Sequence, residues 1–262
     1  MADTTIPKPA DPKRNGAAAS APGVTATPAQ PANVVPPMGN TGKPFTLKVT
    51  SIDELLTRDW PETPWLVNGL IPQGLILLAG KAKLGKSWLC LQLAQAVATG
   101  GMFLGVQVDQ APVLYLALED NSRRIAQRAK LQGWAVGRGR CDFVHLQDVQ
   151  SLYPLCKRTA DRLAEVIEAS GYKLVVIDTL SRLYKGDQND VGAATEALSS
   201  LQSMAMRAGA AVILVDHHNK VKQNEETLDP VTDVLGSTGK GAVADAIMGL
   251  YRIEGQPGAI LA

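Results

Sequence analysis

The chain has 262 residues, enough for one α/β domain of ordinary size with a tail. Its 26 Lys and Arg balance 25 Asp and Glu, so no global field draws it to nucleic acid or an anionic membrane, and any such binding must be local. The three cysteines, Cys90, Cys141 and Cys156, have no metal-ligand spacing and suggest no secreted disulfide framework. With no apolar stretch of bilayer length either, the expected setting is a reducing cytoplasm.

Residues 1–44 are rich in Ala, Pro and Thr and hold 9 of the 16 prolines, so they read as a disordered tail ahead of a folded domain over residues 45–262. Ser51 followed by Ile52, Asp53 and Glu54 predicts a short capped helix. Beyond Trp65, short β-rich apolar runs alternate with helical segments, the pattern of a mostly parallel twisted sheet covered by helices on both faces. The expected strands are Leu75–Ala79, Val113–Leu118, a weaker Phe143–Leu146, Leu174–Ile177, Ala211–Val215 and Ala246–Tyr251. The expected helices are Lys86–Thr99, Ser122–Leu131, Ala160–Ala169 and Val191–Arg207, each amphipathic, with Gly100, Gly171 and Gly209 as stop signals. The last residues, Gly258 to Ala262, look like the first half of a hairpin strand without its partner, which predicts a truncated end.

Gly80, Lys81, Ala82, Lys83, Leu84, Gly85, Lys86 and Ser87 fit G-x-x-x-x-G-K-[ST], directly after an apolar strand and directly before a helix that opens with Trp88. Glycines let the backbone turn so that successive N–H groups converge on phosphate oxygens, and the helix N-terminus adds partial positive charge. Lys86 is then expected to reach the β and γ phosphates of ATP, and Ser87 to offer its hydroxyl to Mg²⁺. Gly239 and Lys240 lack the upstream glycine and form no second loop of this kind.

Asp178 closes the apolar run Leu174–Ile177, the Walker B pattern, with the P-loop expected one strand away in the sheet so that both serve one Mg²⁺ ion. A strand-end aspartate capping the next turn is the plain alternative. Glu119 and Asp120 leave the carboxyl end of another strand, where open α/β sheets place their chemistry. Glu119, first off the strand, is the expected base for the attacking water, and Asp120 the capping acid of the following helix. His217 and His218 follow a fourth strand. One ring would face the γ-phosphate as a sensor, with Asp216 as a neighbour of the metal; surface histidines at a loop start are the alternative. The polar loops 182–189 and 220–233 are candidates for contacting a polymer, or simply solvated loops.

These four strand ends, taken together, resemble the RecA-like ATPases, and in particular the plasmid RepA hexameric helicase group with its phage and bacterial relatives, over about residues 65–252. The resemblance implies that Glu119 is the catalytic base and that Asp178, Thr179, Leu180, Ser181 and Arg182 are the Walker B segment. It further implies that His217 and His218 are the paired histidines and that residues 236–245 are the Gly-Ser segment before an Asp-containing strand. It also implies a homo-oligomeric, hexameric ring that binds single-stranded DNA and spends ATP as a replicative or mobile-element helicase. Where the family has an arginine before the Gly-Ser segment, Val234 and Leu235 stand here, with Lys240 as a substitute charge; the family's arginine finger would lie beyond residue 262. A RecA- or RadA-like recombination or repair ATPase and a nucleotide-dependent DNA-binding regulator without unwinding activity are the alternatives.

Overall fold

The structure is a computed structural model, and it describes residues 47–60, 64–183, 191–217, 230, 241–252 and 258–262. The expected tail, His218, most of both polar loops, and Gly239 with Lys240 lie outside the described residues. The chain divides into two compact units, Met1–Asp59 and Trp60–Ala262. In the first, helix α1 (Ile52–Thr57) starts as the sequence predicts: the Ser51 side chain accepts from the Glu54 N–H, and Asp53 and Glu54 occupy the first turn, where the helix dipole favours acids.

The second unit opens with a small antiparallel pair, β1 (Trp65–Val67) and β2 (Ile71–Pro72). The main elements follow in alternation. β3 (Gly74–Gly80) leads to α2 (Lys86–Thr99), which is followed by a short hairpin of β4 (Met102–Phe103) and β5 (Val106–Gln107). Next come β6 (Val113–Ala117), α3 (Ser122–Leu131), β7 (Cys141–His145), α4 (Lys157–Ser170) and β8 (Leu174–Asp178). The unit closes with α5 (Val191–Ala208), β9 (Ala211–His217), β10 (Ala246–Tyr251) and β11 (Ile260–Leu261). The seven-stranded sheet has the order β11-β10-β3-β9-β8-β6-β7, parallel throughout except for the edge strand β11. This is the expected RecA-like α/β architecture.

Continuous apolar strands are explained by covered faces on both sides. Within β3, Leu75, Leu77 and Ala79 pack toward the core built with α4 and α5, while Ile76 and Leu78 join the core built with α2. Among the described residues no helix is long and apolar enough to cross a membrane.

Four expectations need correction. Helix α2 has little amphipathic contrast: only Trp88, Gln92 and Thr99 are exposed, Ser87, Leu89 and Gln95 are half-buried and the rest is buried, because the sheet lies under it and the Phe103 hairpin packs beside it. Helix α4 begins three residues earlier than expected, at Lys157, because Cys156 and Thr159 form a capping box that propensity does not flag. The chain's last residues are not a strand without a partner, since Ile260 and Leu261 pair antiparallel with Tyr251 and Leu250. Finally, β9 lies between β3 and β8, so the Walker B strand is two places from the P-loop strand rather than one.

Asp245 ties the start of the sheet together. Its Oδ2 accepts from the Leu75 N–H at 2.7 Å and its Oδ1 from Gln202 at 2.9 Å. Gly74 is required beside it, with φ at +119° and its missing Cβ directed into the Asp245 carboxylate. Gly74→Ala is therefore expected to destabilise the protein by about 1–3 kcal/mol from backbone strain. A melting temperature roughly 5 °C or more below the parent's should result. An unchanged thermal melt would contradict this packing account.

Candidate nucleotide site

Strand register determines which side chains meet. Gly80 of β3 stands opposite His217 of β9, and Ala117 of β6 stands opposite Asp178 of β8. The carboxyl ends of four neighbouring strands therefore deliver the P-loop, His217, Asp178 and Glu119 to one edge of the sheet. A cleft of about 470 Å³ opens there, lined by Lys83, Gly85, Lys86, Ser87 and Trp88 from the loop and α2, with Glu119, Asp178, Thr179 and His217 among its other walls.

The loop itself is curled by two residues in the left-handed region, Lys83 at φ 64° and Gly85 at φ 106°. Alternation of this kind turns backbone N–H groups inward into an anion-binding nest, and Gly85 sits at the N-cap of α2 with no side-chain cap competing for the first N–H groups. Gly80 must lack a side chain, since a Cβ there would meet the Leu250 carbonyl oxygen at 2.8 Å. Gly80, Lys81, Ala82 and Leu84 complete the loop without lining the cleft.

Lys86 is buried, and its ammonium donates to the carbonyls of Gly80 at 2.7 Å and Lys81 at 3.1 Å and lies 3.4 Å from His217 Nδ1. Burial lowers its pKa, while the charges of Asp178 and Asp216 act the other way. His217 thus stands beside the P-loop lysine. Asp216 is buried and outside the cleft lining, and its Oδ1 accepts from the His217 N–H. Its charge also acts on Lys86.

Asp178 is buried, and burial raises its carboxyl pKa; the hydroxyls of Ser87 and Tyr115, which hydrogen-bond to it, oppose that shift. The Tyr115 hydroxyl donates to Asp178 Oδ2 at 3.1 Å. A hydroxyl and a carboxylate already in contact are a donor set suited to Mg²⁺, which takes few protein ligands and fills its octahedron with phosphate oxygens and water. Among the described residues no group of three or more His, Cys, Asp or Glu is placed to hold a metal ion.

Glu119 accepts from the Thr179 hydroxyl at 3.0 Å and lies 3.8 Å from Arg182 Nε. Asp120 is not the capping acid: Asn121 caps α3 by accepting from the Arg124 N–H at 2.9 Å. Asp120 instead pairs with Arg124 at 2.8 Å and with Arg128. Both arginines line the cleft, and the Arg128 guanidinium lies 5.5 Å from the centre of the Trp88 ring. Arg124 and Arg128 share one helix face by their i, i+4 spacing, a signal present in the sequence that no nucleotide-site motif singles out.

A phosphate nest, a lysine at its mouth and strand-end carboxylates on a parallel sheet define a RecA-like P-loop ATPase. An AAA domain family profile matches residues 41–223, and the chain belongs to that family. It is also similar to the DNA repair protein RadA of Synechocystis sp., at 26% identity over 164 residues. The DNA repair protein RadA of Halalkalibacterium halodurans is 26% identical over 159 residues. Each match covers 59% of this chain and 30% of the relative's length. Family membership implies nucleotide binding and ATP hydrolysis.

Proposed function

We propose that this chain is a Mg²⁺-dependent ATPase motor of a replicative or mobile-element DNA helicase, acting in the cytoplasm as a hexameric ring on single-stranded DNA. In this reading residues 45–262 are the motor domain and residues 1–44 a tail. The observation that carries it is the convergence of the P-loop, the Ser87–Asp178 pair, Glu119 and His217 on one cleft.

The backbone of Gly80–Ser87 and the Lys86 ammonium hold the ATP phosphates, and Lys86 gives up its loop carbonyls for β and γ oxygens. Ser87 and Asp178 would hold Mg²⁺, which would supply neutralisation of phosphate charge. Glu119 takes a proton from the water that attacks the γ-phosphorus in line, as the bond to the ADP oxygen breaks. His217, against Lys86, registers whether the γ-phosphate is present and passes this to the residues that follow β9. Trp88 and Arg128, stacked together, line the same cleft.

A recombination or repair ATPase is favoured instead by the similarity to the two RadA proteins, both DNA repair proteins. Strand displacement on a forked duplex, paired with sedimentation of the ATP-bound protein, separates the readings. Unwinding by a species near six chains supports the helicase. Single-strand-dependent hydrolysis without unwinding, by open-ended assemblies, supports the repair reading. ATP binding that neither DNA nor assembly alters would leave a nucleotide-dependent regulator.

A further inference from the structure

Thr179 is buried, at 2% exposure, directly after the last residue of β8. It is the N-cap residue of the short turn Leu180–Arg182, yet its side chain makes no cap hydrogen bond there. A threonine at that position ordinarily turns its oxygen to the free N–H groups of the turn. Here its hydroxyl points the other way and donates to Glu119 Oε1 at 3.0 Å. The Ser181 hydroxyl lies 2.8 Å from Thr179 Oγ1. One hydroxyl carries one proton, so donation to Glu119 makes Ser181 the donor to Thr179. The result is a directed chain from Ser181 through Thr179 to the carboxylate.

Backbone pairing explains why the chain can form. Ala117 stands opposite Asp178, and the Leu118 N–H donates to the Asp178 carbonyl at 2.8 Å, so Glu119 and Thr179 leave neighbouring strands together. The turn then brings Arg182 Nε to 3.8 Å from the same Oε1. Both Arg182 and Glu119 are substantially exposed, and an ion pair of that length in water constrains little. The Thr179 hydroxyl is the firmer hold, because Thr179 itself is buried and its 3.0 Å hydrogen bond to a carboxylate is shorter and more directional than the ion pair.

We propose that Thr179 is a positioning residue for hydrolysis: it fixes the Glu119 carboxylate through one oxygen and leaves the other directed at the attacking water. This rests on Glu119 being the base. Thr179→Val keeps the shape of the side chain and removes its hydroxyl, while Thr179→Ser keeps the hydroxyl. In Mg²⁺-ATP turnover by the full chain, Thr179→Val should lower kcat about 10-fold, the size expected for losing one charge-assisted hydrogen bond, with KM for ATP within about twofold of the parent. Thr179→Ser should restore kcat to within about twofold of the parent. Added to Glu119→Gln, Thr179→Val should cost nothing further, because the group that it positions is gone.

Parent-like kcat in Thr179→Val, or a serine variant as impaired as the valine one, would overturn the proposal. A rise in KM matching the fall in kcat would also overturn it, since that marks a general loss of the nucleotide site. The Glu119→Gln control separates the two layers. Full activity in that variant removes the base assignment itself, whereas an inactive Glu119→Gln beside a fully active Thr179→Val removes only the positioning role.

Discussion

Glu119→Gln is expected to lower steady-state ATP turnover by about 10²–10³-fold while leaving nucleotide affinity within a few-fold of the parent. The glutamine keeps the shape of the side chain and can still accept from Thr179, so the geometry around Oε1 survives. What it loses is the capacity to take a proton from water. Glu119 is suited to that task by its place two residues beyond the end of β6, in the same cleft as the P-loop lysine at the start of α2. Asp120, its neighbour in sequence, has both carboxylate oxygens engaged by Arg124 and Arg128. Turnover of Glu119→Gln and Asp120→Asn side by side checks this difference. Loss in the second variant with full activity in the first would move the base to Asp120.

Lys86→Ala has the second large expected effect, and it should fall on binding as well as on chemistry. The ammonium is held at the loop by the carbonyls of Gly80 and Lys81 and lies close to His217. Charge-assisted contacts with phosphate are each worth about 1.5–3 kcal/mol, so ATP affinity should drop by roughly 10–100-fold and turnover to near background. Titration calorimetry with ATP and Mg²⁺ gives the first number and phosphate release the second. Affinity equal to the parent's would mean that Lys86 does not reach the phosphates.

Sequence and structure agree most closely where one physical demand is local. The P-loop helix runs from Lys86 to Thr99 and ends at the left-handed Gly100, as its pattern and stop signal require. The strand ending in Asp178 is equally plain, because a parallel strand covered on both faces must be apolar along its whole length until the residue that leaves it. Strand order was not legible in this way. Nothing within Ala211–His217 says that it inserts between β3 and β8, since order is chosen by long-range packing and the handedness of the crossovers.

The site was legible by residue type but not by contact. Ser87 and Asp178 could be paired from their motifs, whereas the Tyr115 hydroxyl on Asp178 depends on a side chain of β6 reaching over to β8. Thr179 could be read only as part of a Walker B segment; its turn away from its own cap and toward Glu119 appears only when two strand ends are set side by side. The two-residue strands β2, β4 and β5 are too short to carry any period, and they exist because neighbouring backbone offers them partners.

The most direct measurement is phosphate release from ATP by the full chain with Mg²⁺, with and without single-stranded DNA. The account predicts Mg²⁺-dependent turnover that rises when DNA is added. Tight ATP binding with release at background under both conditions would contradict it.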